Sequence, residues 1–169
     1  MSFLNKHNFK NISLMEDNMG KPRFAEDFNA GQVFDLGIKS VTKEEIIAFA
    51  ERYDPFPFHL DDEEGSKTVF GGIISSGWQT ALIWLEMMHE NILDYTTIMG
   101  SPGHDALNWK TPVRPGDTLS GSMEILDTKL SKSRPEIGFV KYKAQLVNQK
   151  NEQVFFTEST LIIKTQQAT

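Results

Sequence analysis

The chain has 169 residues, 39% of them apolar, with 23 acidic against 17 basic side chains for a net charge of −6, and no cysteine. This length fits one globular domain with a core of its own, and the lack of any Lys/Arg block argues against nucleic acid as a partner. The lack of thiols excludes disulfides, cysteine nucleophiles and thiolate metal sites, and suits a reducing, cytoplasmic location.

Residues 1–23, rich in Asn, Lys and Met without periodicity, read as a loosely docked N-terminal leader, with a single domain expected over 24–169. No signal-peptide hydrophobic region and no stretch long enough to span a bilayer is visible, so no membrane partner is expected. A first strand is predicted from Gln32 to Val41 on Val33, Phe34, Leu36 and Ile38, entered by the turn Asn29-Ala30-Gly31. Thr42-Lys43-Glu44-Glu45 fits a capping box ahead of Ile46, Ile47, Phe49, Ala50 and Tyr53, which recur at helical spacing. Pro55 and Pro57 then break the helix, and Asp54 to Phe70 is predicted to be a loop. After Gly71-Gly72, Ser75 or Ser76 can cap a second helix running to about Ile92, apolar over most of its circumference and so expected to be buried. Residues 104–113, 117–130, 136–149 and 152–165 read as strands joined by short turns, which favours antiparallel neighbours. The sum is an α+β arrangement, one buried helix held by an antiparallel sheet.

Two segments could carry chemistry. In Tyr53-Asp54-Pro55-Phe56-Pro57-Phe58-His59, a carboxylate and an imidazole lie five positions apart on a backbone stiffened by proline. If the loop curls, Asp54 and His59 converge among Phe56 and Phe58 and can position and activate one water. Asp54 capping the helix end, with His59 on the surface, is the alternative. In Phe70-Gly71-Gly72-Ile73-Ile74-Ser75-Ser76-Gly77-Trp78, a glycine-rich turn enters a helix N-terminus whose free amides can stabilise a carbonyl gaining negative charge. Gly77 is the best donor because no side chain of its own blocks approach; glycines that only permit a tight turn and close packing are the other reading. His104 and His89 are expected near the surface, and without convergent ligand spacing no metal is expected. Lys110, Arg114, Lys132 and Arg134 could meet phosphates of an extended ligand or simply be solvated strand ends.

Taken together, Asp54 to Asp61, Phe70 to Trp78 and Pro112-Val113-Arg114-Pro115-Gly116-Asp117-Thr118-Leu119 resemble the MaoC-like dehydratases, relatives of (R)-specific enoyl-CoA hydratases, across roughly residues 24–165. The resemblance implies the hotdog fold, a long helix wrapped by a curved antiparallel sheet, and a homodimer or an assembly of dimers acting on an acyl-CoA or related acyl thioester, without a cofactor. It assigns Asp54, His59 and the Gly77 amide to catalysis, and Phe56, Phe58, Gly72, Ser76 and Trp78 to the acyl site. Phe56 stands where the family motif has Asn, and Ser76 where many members have His, departures that bear on the substrate. Two rival readings are thioester hydrolysis by a carboxylate on the central helix, for which Glu86 is the candidate, and acyl binding without catalysis.

Overall fold

The computed structural model describes residues 21–168, so most of the leader predicted over 1–23 lies outside the described residues. Within it, Arg23 is tied to the domain: its N–H donates to the Tyr95 carbonyl (2.8 Å) and its carbonyl accepts from Thr97 N–H (2.9 Å).

A strand β1 (Val33–Ser40) leads into helix α1 (Lys43–Tyr53), two short helices α2 (Pro57–Leu60) and α3 (Asp62–Ser66), and the long helix α4 (Gly77–Asn91). Strands β2 (Ile98–Gly100), β3 (His104–Trp109), β4 (Thr118–Leu130), β5 (Ile137–Val147) and β6 (Gln153–Lys164) follow. They form one antiparallel sheet in the order β1-β4-β5-β6, and β2 and β3 pair with successive stretches of β6. Alternate residues of the long strands face one side and are buried: Met123 and Ile125 on β4, Tyr142, Ala144 and Leu146 on β5, Phe155, Leu161 and Ile163 on β6. This is the period-two pattern of a sheet with one covered face. Trp84, Met87 and Met88 of α4 supply the cover, Trp84 packing on Phe155 (ring centroids 5.4 Å) and near Tyr142 (6.5 Å). No helix among the described residues is long and apolar enough to cross a membrane.

Three expectations change. Asp54 to Phe70 is not a plain loop: Pro57 occupies the first turn of α2, where a missing N–H costs nothing, and the Asp61 carboxylate caps α3 by accepting from Glu63 N–H (2.8 Å) and Glu64 N–H (3.0 Å). The strand expected to reach residue 113 ends at Trp109, ahead of Pro112 and Pro115, which cannot donate to a ladder. Helix α4 is buried on one side only; Trp78, Leu82 and Leu85 form an exposed stripe at 60, 52 and 36% accessibility. Its hydropathy is all-round, but the sheet covers only one side of it.

Gly138 shows how closely the layers meet. A Cβ at Gly138 would lie 2.4 Å from Ala25 Cβ, at the turn Ala25–Asp27 that covers this end of the sheet. Ala25 has no flexible atoms to withdraw. Gly138→Ala is therefore expected to destabilise the fold by about 1–3 kcal/mol, the usual cost of overpacking, measured as a lowered denaturant midpoint with unchanged m-value.

Candidate functional site

The site is assembled from three chain segments. Helix α1 ends at Asp54, whose N–H donates to the Ala50 carbonyl (3.0 Å) and whose carbonyl accepts from Phe56 N–H (2.8 Å). That turn delivers the chain into α2, where His59 N–H donates back to the Phe56 carbonyl (2.9 Å). The segment before α4 then runs alongside: Ile74 N–H donates to the Phe58 carbonyl (3.2 Å), and Ser75 N–H to the Val113 carbonyl (2.8 Å). As a result Asp54, His59 and Ser76 meet.

His59 Nδ1 lies 2.8 Å from the Ile74 carbonyl oxygen, which can only accept, so the ring hydrogen sits on Nδ1. In the neutral ring Nε2 then presents its lone pair toward Asp54 Oδ2, 3.5 Å away. The Ser76 hydroxyl donates to the same Oδ2 (2.7 Å) and accepts from Trp78 N–H (3.2 Å), so the residue that caps α4 also fixes the carboxylate. The His59 side chain is 7% exposed and that of Asp54 21%. Phe58 meets the imidazole edge to face at 4.5 Å and is itself stacked on Phe56 at 5.4 Å.

The pair stands between two clefts. One, of about 490 Å³, is nearly all apolar and is bordered by Asp54, Trp78, Leu82, Leu85, His104 and Leu107. The other, of about 390 Å³, is bordered by His59, Phe58, Phe70, Gly77, Trp109 and Lys110. Trp78 and Trp109 touch edge to face across the boundary, centroids 5.2 Å apart at 76°. Gly77 is the first residue of α4, and its amide has no acceptor among the described residues.

The Cα of Gly77 is covered by an indole ring. A Cβ there would lie 2.8 Å from Trp109 Cε2, so glycine is required by the indole that packs against it. Of the other residues assigned to the acyl site, Phe58 and Trp78 border clefts, Ser76 is buried behind them, and Phe56 and Gly72 are not among the lining residues. Gly72 instead lies against Gly65, where a Cβ would come within 2.4 Å of the Gly72 carbonyl carbon.

Glu86 stands apart from both clefts, paired with Lys39 at 2.9 Å. His89 pairs with Asp94 on the surface (2.8 Å). His104 borders the apolar cleft and donates from Nδ1 to Thr157 Oγ1 (2.7 Å), whose own hydrogen goes to the Ala106 carbonyl (2.8 Å). Among the described residues, no three His, Asp or Glu side chains converge as a metal site would require. Trp109 escaped the sequence reading. An aromatic closing a strand just before Pro112-Val113-Arg114-Pro115-Gly116-Asp117 was the available signal, but only the fold brings it onto Gly77.

The MaoC like domain family matches residues 27–148. YdeM of Bacillus subtilis (strain 168) is 34% identical over 139 residues, 82% of this chain and 97% of YdeM. Among solved structures, the MaoC-like dehydratase from Rhodospirillum rubrum superposes with a TM-score of 0.74 at 32% identity, covering 85% of this chain and 98% of that one. RV0216 from Mycobacterium tuberculosis, which has a double hotdog fold, superposes with a TM-score of 0.75 at 13% identity, covering 86% of this chain and 45% of its own, a likeness of fold alone. The sheet that wraps α4 is the hotdog fold, and the chain belongs to the MaoC-like family of hydratases and dehydratases.

Proposed function

We propose that the protein adds water across, or removes it from, the Cα=Cβ bond of an enoyl thioester, with coenzyme A the expected carrier. One observation carries this reading: His59 Nε2 and Asp54 Oδ2 face each other at 3.5 Å, and in the neutral imidazole, whose hydrogen the Ile74 carbonyl keeps on Nδ1, both are acceptors. A water that donates one hydrogen to each is held with its lone pairs free for attack. In hydration the water oxygen bonds to Cβ, its O–H bond breaks, and the proton passes to Nε2. The imidazolium so formed is opposed by the Asp54 carboxylate beside it. The π electrons move onto the thioester carbonyl as an enolate, whose oxygen is stabilised by the Gly77 amide at the α4 N-terminus. Collapse of the enolate carries the proton from Nε2 to Cα and restores the neutral ring. Dehydration is the reverse path. Hydrolysis of the thioester by Glu86 has less support, since that carboxylate is exposed, bound to Lys39 and away from both clefts.

The test follows the enoyl absorbance with a panel of enoyl-CoA substrates. Asp54→Asn and His59→Ala are each expected to lower kcat by about a hundred- to ten-thousand-fold, the usual worth of a positioned acid/base group. Ser76→Ala, which frees one hydrogen bond to a charged oxygen, is expected to cost about ten- to a hundred-fold. Near-normal hydration by Asp54→Asn would sink the assignment, and tight acyl-CoA binding by wild type without any absorbance change would favour a module that binds and does not catalyse.

We also infer a homodimer. The stripe Trp78, Leu82 and Leu85 is a contiguous apolar surface on α4, and the outer edge of β3 is unpaired among the described residues, two features that call for a covering partner. RV0216 covers about twice the length with a double hotdog fold, as expected if two such units cover one another. Sedimentation is expected to give a dimer for wild type and a monomer for Leu82→Glu; a wild-type monomer at micromolar concentration would overturn the inference.

A further inference from the structure

We propose that His104 is a specificity-determining residue of the apolar cleft: its ring accepts a hydrogen bond from a hydroxyl on the acyl group, so the preferred substrate is an enoyl thioester carrying an alcohol beyond the reacting carbons. The proposal rests on the hydration reading and names the substrate class within it. A β-bulge in β3 aims the side chain. His104 pairs with Ser159 and Ala106 with Glu158, so Asp105 has no partner of its own on β6. Ser159 alternates with Phe155, Thr157 and Leu161 on the buried face that α4 covers, and the extra residue puts His104 on that face together with Leu107. Strict alternation from Leu107 would have turned Asp105 inward. Instead Asp105 pairs with Lys141 (3.1 Å), and His104 meets Trp84 of α4 edge to face, ring centroids 5.8 Å apart.

Two facts separate this histidine from an ordinary surface one. First, buried polar groups of the sheet hold its ring. Nδ1 donates to Thr157 Oγ1 (2.7 Å), whose hydrogen is committed to the Ala106 carbonyl (2.8 Å), so in the neutral ring Nε2 is an acceptor. Thr157 and Ser159 are 0 and 1% exposed, and Ser159 Oγ donates to the Gly103 carbonyl (2.7 Å), fixing the backbone just before His104. Nε2 lies across the ring from Nδ1 and so points away from β6, with no partner among the described residues. Second, His104 borders the cleft of about 490 Å³ that Asp54 also borders. Trp84, which it touches, stands seven residues beyond Gly77, roughly 10 Å along α4, so His104 is several bonds of an acyl chain away from the dyad. A plain alkyl chain seated there strips water from Nε2 and returns no hydrogen bond. A hydroxyl returns one. A carboxylate would add a second negative charge to a cleft that Asp54 already borders, and an ammonium costs far more to desolvate.

The test compares enoyl-CoA substrates with and without a hydroxyl at the far end of the acyl chain, over a series of matched lengths. Wild type is expected to favour the hydroxylated member in kcat/KM by about three- to tenfold at the length that reaches His104, the worth of one net hydrogen bond. His104→Phe, which keeps a ring against Trp84 and removes both nitrogens, is expected to reverse that preference, whereas loosened packing alone would slow both substrates alike. A plain chain preferred by wild type at every length, or an unchanged ratio in His104→Phe, would overturn the proposal. Nitrogen NMR of the wild-type imidazole needs neither a variant nor turnover. A saturated acyl-CoA with a terminal hydroxyl is expected to move the His104 Nε2 resonance upfield, as accepting a hydrogen bond does, and its plain counterpart is not. If wild type hydrates no enoyl thioester, the hydration reading fails by itself; equal Nε2 resonances with the two saturated ligands, or binding of neither, overturn the hydroxyl subsite.

Discussion

The hydrogen bond from His59 Nδ1 to the Ile74 carbonyl, 2.8 Å long and joining residues fifteen positions apart, is the interaction on which the site depends. A carbonyl has no hydrogen to give, so this contact fixes the tautomer of the neutral ring, with Nε2 as its acceptor. It also ties α2 to the segment that enters α4, because the Ile74 amide answers it with a bond to the Phe58 carbonyl. Two residues further along that segment, Ser76 caps the helix and donates to Asp54. Lose the Ile74 contact and the carbonyl is left buried and unpaired, at a cost of about 1–3 kcal/mol; the imidazole also becomes free to turn its hydrogen toward Asp54, where it would close the water site by bonding the carboxylate directly.

Helix α4 serves three tasks with three of its surfaces. Trp84, Met87 and Met88 fill the core against the sheet. The N-terminal turn offers free amides beside the dyad. The stripe through Trp78, Leu82 and Leu85 faces away from the sheet and borders the apolar cleft with Asp54. On the function and assembly proposed above, an acyl chain and a second subunit would share that direction, the second excluding water from the open side of the cleft that holds the first. That proposal joins catalysis and assembly through one helix face.

Short-range patterns were legible in the sequence. The capping box formed as spaced, Thr42 Oγ1 accepting from Glu45 N–H (3.2 Å) and Glu45 Oε2 from Thr42 N–H (2.8 Å), because its partners are three residues apart. The long strands and their antiparallel order followed from period-two burial and short turns. The convergence of Asp54 and His59 was one of two readings that the prolines left open and that the family resemblance decided, and the helical form of the turn between them was hidden, since α2 has only four residues and too few positions to display a period. The half exposure of α4 could not be read from hydropathy, which records that a face is apolar and not what covers it. Trp109 lay furthest from view: its packing on Gly77 joins β3 to α4 through tertiary contact alone.

Phe56 illustrates how the site tolerates a departure from the family motif. It stands in the place of an asparagine and is 56% exposed, bordering neither cleft, so it cannot take over the amide's hydrogen bonds. What it does is stack in parallel on Phe58, interplanar angle 5°, and Phe58 in turn sets its ring edge against His59. The imidazole is thereby fixed by an aromatic contact on one side and the Ile74 carbonyl on the other, while Asp54 is fixed independently by Ser76. Orientation of the dyad depends on groups that a change at position 56 leaves in place. What the departure removes is a side-chain amide, and what it leaves is an aromatic stack that braces the imidazole from outside both clefts.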